Sequence, residues 1–279
     1  MTKNRIKEHL ALVTVSKRIL KSTCQFYSFK RGTKEFPVPN GCGILIEFNN
    51  KFYCFSNAHV LADNNLGNTF ILLGNGKTMT VGGQYYYSKL PVSNERSDDS
   101  IDITIVQLSD DTVEGFKQRN YKFLEMSNVI SGHLIRERDS IMIAGYPGSQ
   151  TKIDVKNKKV IGVPFLLKTE PFLKDLSKIN FPKDFHIIAK YSRNKILDYR
   201  NGDRKVGPKP HGISGSGLWL LKRNEYDEYE PFLIGIFSEY IENRAILVST
   251  KVDLFVDIIK QKLDQTIENH GIKVSIIEN

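Results

Sequence analysis

Cysteine is scarce in this chain: three in 279 residues, Cys24, Cys42 and Cys54, a number that cannot pair completely and a spacing that matches no zinc site. A disulfide-stapled secreted scaffold is thereby excluded, and a reducing, cytoplasmic compartment is expected. Long apolar runs are also missing. No stretch approaches the roughly 18–20 residues that a membrane-spanning helix needs, so no membrane association is expected. The opening residues, MTKNRIKEHLALVTVSKRIL, are charged throughout and carry neither an apolar signal core nor a small-residue cleavage site. There is no internal repeat and no low-complexity tract.

What is present reads as a globular protein. The hydrophobic share is 40% and the charged share 25%, enough to build a sizeable core in one large domain or two ordinary ones. Acidic residues are outnumbered, 31 against 40 Lys and Arg, for a formal net charge of +9. The excess is uneven. Residues 1–35 hold nine basic side chains against Glu8 and Glu35, a net +7, and residues 190–209 hold seven against Asp198 and Asp203, a net +5. Such patches can attract nucleic acid or acidic partners, although solvated lysines on a soluble surface are the ordinary reading.

Along the chain, residues 4–21 place Ile6, Leu10, Val13 and Leu20 near helical spacing and predict a leading helix. From Thr23 the texture changes to short β-branched and aromatic runs (TCQFYSF, GCGILIEF, KFYCFSNAHV) punctuated by Gly, Pro and Asn, the pattern of strands and hairpins. Asn49-Asn50 and Gly74-Asn75-Gly76 suit tight turns, and DITIVQL is a further strand. Residues 109–131 are charged, mostly lack alternation and read as a linker. Strand-like runs resume at SIMIAGYP, KKVIGVPFLL, FHIIAKYS, SGLWLL and PFLIGIFS. VDLFVDIIKQKLDQTI closes the pattern as an amphipathic helix, with Leu254, Ile258, Ile259 and Leu263 on one face and Thr250 placed to cap.

Three short motifs stand out by their order. His59 follows the apolar run KFYCFS, Asp102 heads a strand after the polar loop SNERSDDS, and Ser214 lies between glycines in HGISGSG. Singly, these read as a surface histidine, a strand-entry aspartate and a turn serine. Together they run His, Asp, Ser, each at a strand boundary, the order of the chymotrypsin arrangement and the reverse of the Ser-first α/β-hydrolases. An α/β-hydrolase is further disfavoured because Ser214 lacks glycine two residues on and strands do not alternate with helices.

On these motifs the chain resembles the trypsin-like (chymotrypsin-fold) serine peptidases, and within them intracellular bacterial members. GCGILIEFNNKFYCFSNAHV is similar to that family's "GSGFLI…TAAHC" segment, SIDITIVQL to "DIALL", GISGSG to "GDSGGP", and FLIGIFS to "GIVSWG"; the likeness spans about residues 23–260. It implies an all-β-dominated fold of two six-stranded antiparallel β-barrels with an N-terminal and a C-terminal helix. The implied division is a basic helical extension (1–22), a first barrel with His and Asp (23–110), a linker (111–131), a second barrel with the serine (132–250), and a C-terminal helix and tail (251–279).

The resemblance also implies roles. His59 takes the Ser214 proton as the hydroxyl attacks a peptide carbonyl, and Asp102 holds the imidazole in the productive tautomer. The amides of Gly212 and Ser214 form the oxyanion hole, and glycine at 212 keeps that turn clear of a Cβ. Ser238 supports the buried aspartate through its hydroxyl and carbonyl, and Glu239 lines the substrate cleft. Val60 replaces a half-cystine, Ile213 replaces the aspartate used in zymogen activation, and Ser216 stands where the family has glycine. The position that sets primary specificity falls near Pro208, which is not acidic, so preference for Lys or Arg there is not expected. AGYPGS (144–149) reads as a structural turn, and Trp219 as a barrel residue. No cofactor and no metal is expected. The expected partners are a polypeptide substrate and a regulatory protein, because an unrestrained cytoplasmic protease would be toxic; by analogy of fold and compartment, a bacterial stress or antiphage effector fits. The alternative is a peptidase-like binding module whose basic surface takes nucleic acid or a protein.

Overall fold

The computed structural model describes residues 3–29, 37–61, 68–74, 77–154, 159–174, 176, 180–197, 204–264 and 274–277. Helix α1 (Lys3–Lys21) leads into strands β1 (Thr23–Phe29), β2 (Pro37–Phe48), β3 (Lys51–Ser56) and, after the short helix α2 (Ala58–Leu61), β4 (Thr69–Gly74), β5 (Lys77–Thr80), β6 (Gly83–Ser88) and β7 (Thr104–Leu108). Helix α3 (Asp110–Gln118) and β8 (Leu124–Glu125) follow. The second half holds β9 (Ile141–Gly145), the hairpin β10 (Lys152–Asp154) and β11 (Lys159–Ile161), then β12 (Phe165–Thr169) and β13 (His186–Lys190). After the small pair β14 (Ile196–Leu197) and β15 (Arg204–Lys205) come β16 (Gly217–Arg223), β17 (Tyr229–Ile241), β18 (Ile246–Lys251), helix α4 (Val252–Asp264) and β19 (Val274–Ile277).

These strands form two principal sheets. The first runs β6-β7-β3-β2-β1-β4-β5, with β19 added at the β6 edge and β8 alongside β2; the second runs β12-β9-β16-β17-β18-β13. The expectation of two closed six-stranded barrels flanked only by terminal helices is therefore corrected. The sheets are open, curled half-barrels of seven and six strands, and four helices are distributed through the chain. Closure requires the edge strands of a curl to pair with one another, and among the described residues neither β5 with β6 nor β12 with β13 does so.

Local chemistry explains the elements. Asn49 and Asn50, with φ of 49° and 57°, join β2 to β3 through the two left-handed residues of a tight hairpin, a conformation asparagine tolerates. Gly74 ends β4, and residues 75–76 of the second expected turn fall outside the described residues. In α1 the buried stripe is Leu12, Val15 and Ile19, whereas Ile6 and Leu10, two of the residues whose spacing predicts the helix, are 44% and 59% exposed. Glu8 sets this rotation: one helical stripe above Leu12, it accepts hydrogen bonds from Lys168 Nζ (2.5 Å), Arg223 Nη2 (2.6 Å) and Tyr229 Oη (2.7 Å). Residues 109–131 contain α3, which buries Val113 and Phe116, and then stitch the halves together. Ile46 and Glu47 pair in parallel with β8, and Ile130 N donates to the Leu233 carbonyl (3.0 Å). Thr250 does not cap α4; its hydroxyl donates to the Ile101 carbonyl (2.9 Å).

Each sheet encloses an apolar core, around Phe26 and Phe116 in the first and around Ile143 and Phe237 in the second. A third core lies between them, where Phe55 and Ile105 meet Trp219 and Leu233 beneath α1 and α4. Trp219 is fully buried there. This shared core sets the relative position of the two halves, and hence the geometry of any site between them.

Candidate active site

His59 sits on the single turn of α2, immediately beyond the end of β3. Ala58, Val60 and Leu61 are buried, which leaves His59 as the residue of that turn exposed to the cavity between the halves. Val60 shows what replaces a half-cystine here. Its methyls lie 2.6 and 2.7 Å from where a Cβ on Gly41 would stand, so apolar contact holds the histidine turn to β2.

Asp102 meets that turn with both its backbone and its side chain. Its Oδ2 lies 2.5 Å from His59 Nδ1, its Oδ1 accepts from His59 N (3.0 Å), and its carbonyl accepts from Asn57 Nδ2 (3.0 Å) and Ala58 N (3.4 Å). A φ of 45° allows this, a left-handed conformation that aspartate adopts more readily than most residues. The loop behind it is pinned from the second sheet: His186 Nε2 lies 2.7 Å from the Ser100 carbonyl, and Thr250 holds that of Ile101. Burial alone would lower the His59 pKa. The hydrogen bond and charge of Asp102 outweigh it, and the imidazole is held above its ordinary value.

The Ser214 turn comes from the second half. Gly212 and Gly215 have φ of 87° and 86°, and between them Ile213 is fully buried as an anchor. The turn is tied by Ser216 N to Ile213 O (2.9 Å), Gly215 N to Phe237 O (2.8 Å) and, across the halves, Cys42 N to Ser214 O (2.7 Å). Gly148 N donates to the His211 carbonyl (2.8 Å), and in a trans peptide this turns the Gly212 N–H the other way. AGYPGS thus braces the serine turn as well as shaping its own. Among the described residues no acceptor meets the amides of Gly212 or Ser214, and both residues line the cavity. A Cβ on Gly212 would lie 2.7 Å from Gly148 N.

The remaining candidates separate. Ser214 Oγ donates to the Ser238 carbonyl (3.2 Å). Ser238 Oγ donates to the Val248 carbonyl (3.2 Å), so its hydroxyl does not reach Asp102 as the resemblance implies. Ser216 is fully buried with its Oγ unpaired; it fits because Gly145 leaves room, a Cβ there being 2.9 Å from that of Ser216. Glu239 stands on the cavity wall, its carboxylate raised in pKa by partial enclosure and by the Asp102 charge. The cavity, about 530 Å³, also holds residues the sequence reading did not single out, notably Arg96, Asp99 and Phe181. The run SNERSDDSID, dense in carboxylates ahead of a strand, was the sequence signal for Arg96 and Asp99; Phe181 had none.

Among the described residues no group of three or more His, Cys, Asp or Glu side chains is placed to hold a metal, and no helix is long and apolar enough to cross a membrane. The protein has a chymotrypsin-like fold with the His59–Asp102 pair at the junction of its halves. Comparison with a solved structure supports the fold, and the fold alone. A mutant of human heparin binding protein (CAP37) matches with a TM-score of 0.52 at 14% identity, over 91% of this chain and 96% of the other. A tobacco vein mottling virus protease matches with a TM-score of 0.45 at 14% identity, over 87% of this chain and 84% of the other. No family model and no curated protein matches the sequence.

Proposed function

We propose that the protein is a serine endopeptidase in which Ser214 attacks the peptide carbonyl, His59 is general base and then general acid, Asp102 orients the imidazole, and the Gly212 and Ser214 amides receive the oxyanion. The observation that carries this reading is the conjunction on one cavity wall of the 2.5 Å His59–Asp102 pair with a serine whose turn leaves two amides without acceptors. An isolated His–Asp pair occurs for structural reasons; unpaired amides beside it are costly unless something binds them. Attack requires the Ser214 hydroxyl to leave the Ser238 carbonyl for the His59 ring. That resting hydrogen bond supports an enzyme restrained until a substrate or a partner protein engages it. The three buried, unpaired thiols support work in a reducing compartment.

A fluorophosphonate probe tests the reading. Wild type should be labelled covalently and Ser214→Ala should not. Absence of labelling in lysate and in purified protein alike would refute it. Rapid cleavage of generic peptides by the isolated protein would refute the restraint while leaving the chemistry intact.

A further inference from the structure

Resting on the peptidase reading, we propose that Glu239 is a specificity-determining residue, and that the cavity selects a substrate bearing a lysine or arginine side chain close to the scissile bond. The argument is a charge balance on the cavity wall. Three carboxylates line it: Asp99, Asp102 and Glu239. Two are already answered. Asp102 takes His59 Nδ1 and N, while Asp99 takes Arg96 Nη1 (2.7 Å), Ser88 Oγ (2.5 Å) and Ile101 N (3.1 Å). Glu239 has no hydrogen bond and no ion pair among the described residues.

Its surroundings make that lack costly. Partial burial and repulsion by Asp102 outweigh the attraction of His59 and hold the Glu239 pKa above its ordinary value. The lining cation, Arg96, is committed to Asp99, so the open wall is net negative. A carboxylate held in such a field gains most from a ligand that brings its own positive charge. The apolar faces of Phe181 and Tyr240, also on the wall, suit the methylene stem of such a side chain. Closeness to the reacting atoms follows from the chain: Glu239 directly follows Ser238, whose carbonyl accepts from Ser214 Oγ (3.2 Å). This subsite is separate from the position near Pro208, where no acidic residue was found.

The experiment is digestion of a proteome-derived peptide library by wild type, Glu239→Gln and Glu239→Lys, with cut sites read by mass spectrometry and each protein labelled in parallel with a fluorophosphonate. Wild type should enrich Lys and Arg about tenfold or more at one fixed position near the cut, the scale of one charge-assisted contact. Glu239→Gln should lose that enrichment, and Glu239→Lys should replace it with Asp and Glu. A labelled wild type with no basic enrichment, or enrichment unchanged in Glu239→Gln, overturns the assignment of Glu239 and leaves the Ser214 chemistry standing. A wild type that neither labels nor cuts overturns the peptidase reading and this inference with it.

Discussion

Replacing Asp102 by asparagine removes one charge while preserving shape, and the geometry dictates why activity should collapse. The carboxylate offers two acceptors, Oδ1 to His59 N at 3.0 Å and Oδ2 to His59 Nδ1 at 2.5 Å. An amide offers one acceptor and one donor. If its oxygen keeps the backbone bond, its NH₂ faces Nδ1; the proton is then driven to Nε2, the nitrogen that must take it from Ser214. If its oxygen faces Nδ1, its NH₂ abuts the His59 N–H. The first arrangement abolishes the base and the second strains the turn. The expected loss is about 10⁴-fold in kcat, or about 5.5 kcal/mol of transition-state stabilisation. The pH profile carries a second signature. Because Asp102 holds the His59 pKa above its ordinary value, the wild-type rate should fall as pH drops through a point above 6.5, where the base becomes protonated. The variant's residual activity should lose this limb or show it at lower pH. Initial rates from pH 5 to 9, on a peptide drawn from the wild-type cut sites, measure both. Asp102→Asn within tenfold of wild type would refute the assigned role.

Gly212→Ala should lower activity by about 10²–10³, the worth of one oxyanion donor, because its Cβ would meet Gly148 N at 2.7 Å and force the peptide to turn; probe-labelling rates check this. Gly145→Ala should lower the midpoint of thermal unfolding, since its Cβ would stand 2.9 Å from that of fully buried Ser216, an overpacking that costs about 1–3 kcal/mol. Glu8→Ala should destabilise by about 1–3 kcal/mol by leaving Lys168, Arg223 and Tyr229 without their shared acceptor. Burial raises the Glu8 pKa, but the Lys168 and Tyr229 hydrogen bonds and the charges of Lys168 and Arg223 bring it below 4.5; its contribution is present above the unfolded value and lost as pH falls through the folded one, so Glu8→Ala should flatten the acid limb of stability measured by denaturant titration.

The site was more legible than the fold because chemistry constrains identity over a few adjacent residues. His59, Asp102 and Ser214 each announce themselves by a short local motif, and the cavity does draw all three together. Other features depend on relations that a linear pattern does not carry. Whether a curled sheet closes is decided by edge strands far apart in sequence. The helix α1 follows from its apolar spacing, but which of its faces is buried depends on the partners that Glu8 finds in distant strands. Residues 109–131 looked like a linker because four of the nine residues of α3 are charged; yet Asp110 and Asp111 sit in its first turn, where a helix favours acids, and Val113 and Phe116 stand three apart on its buried side. The Ser238 hydroxyl went to Val248 because a bulge in the β17–β18 pairing lies at that residue, which no motif reports.

The packing of Gly145 against Ser216 also constrains the history open to this chain. With serine already at 216, any side chain at 145 crowds it at 2.9 Å and the Ile213 Cβ at 3.1 Å, whereas glycine at 216 would remove the tighter of the two contacts. A lineage could therefore acquire the buried serine most easily while position 145 was glycine, and once it had done so, change at position 145 carried a cost in stability. Two residues 71 positions apart in the sequence are most easily exchanged in a set order, and relatives with a larger residue at the first should carry glycine at the second.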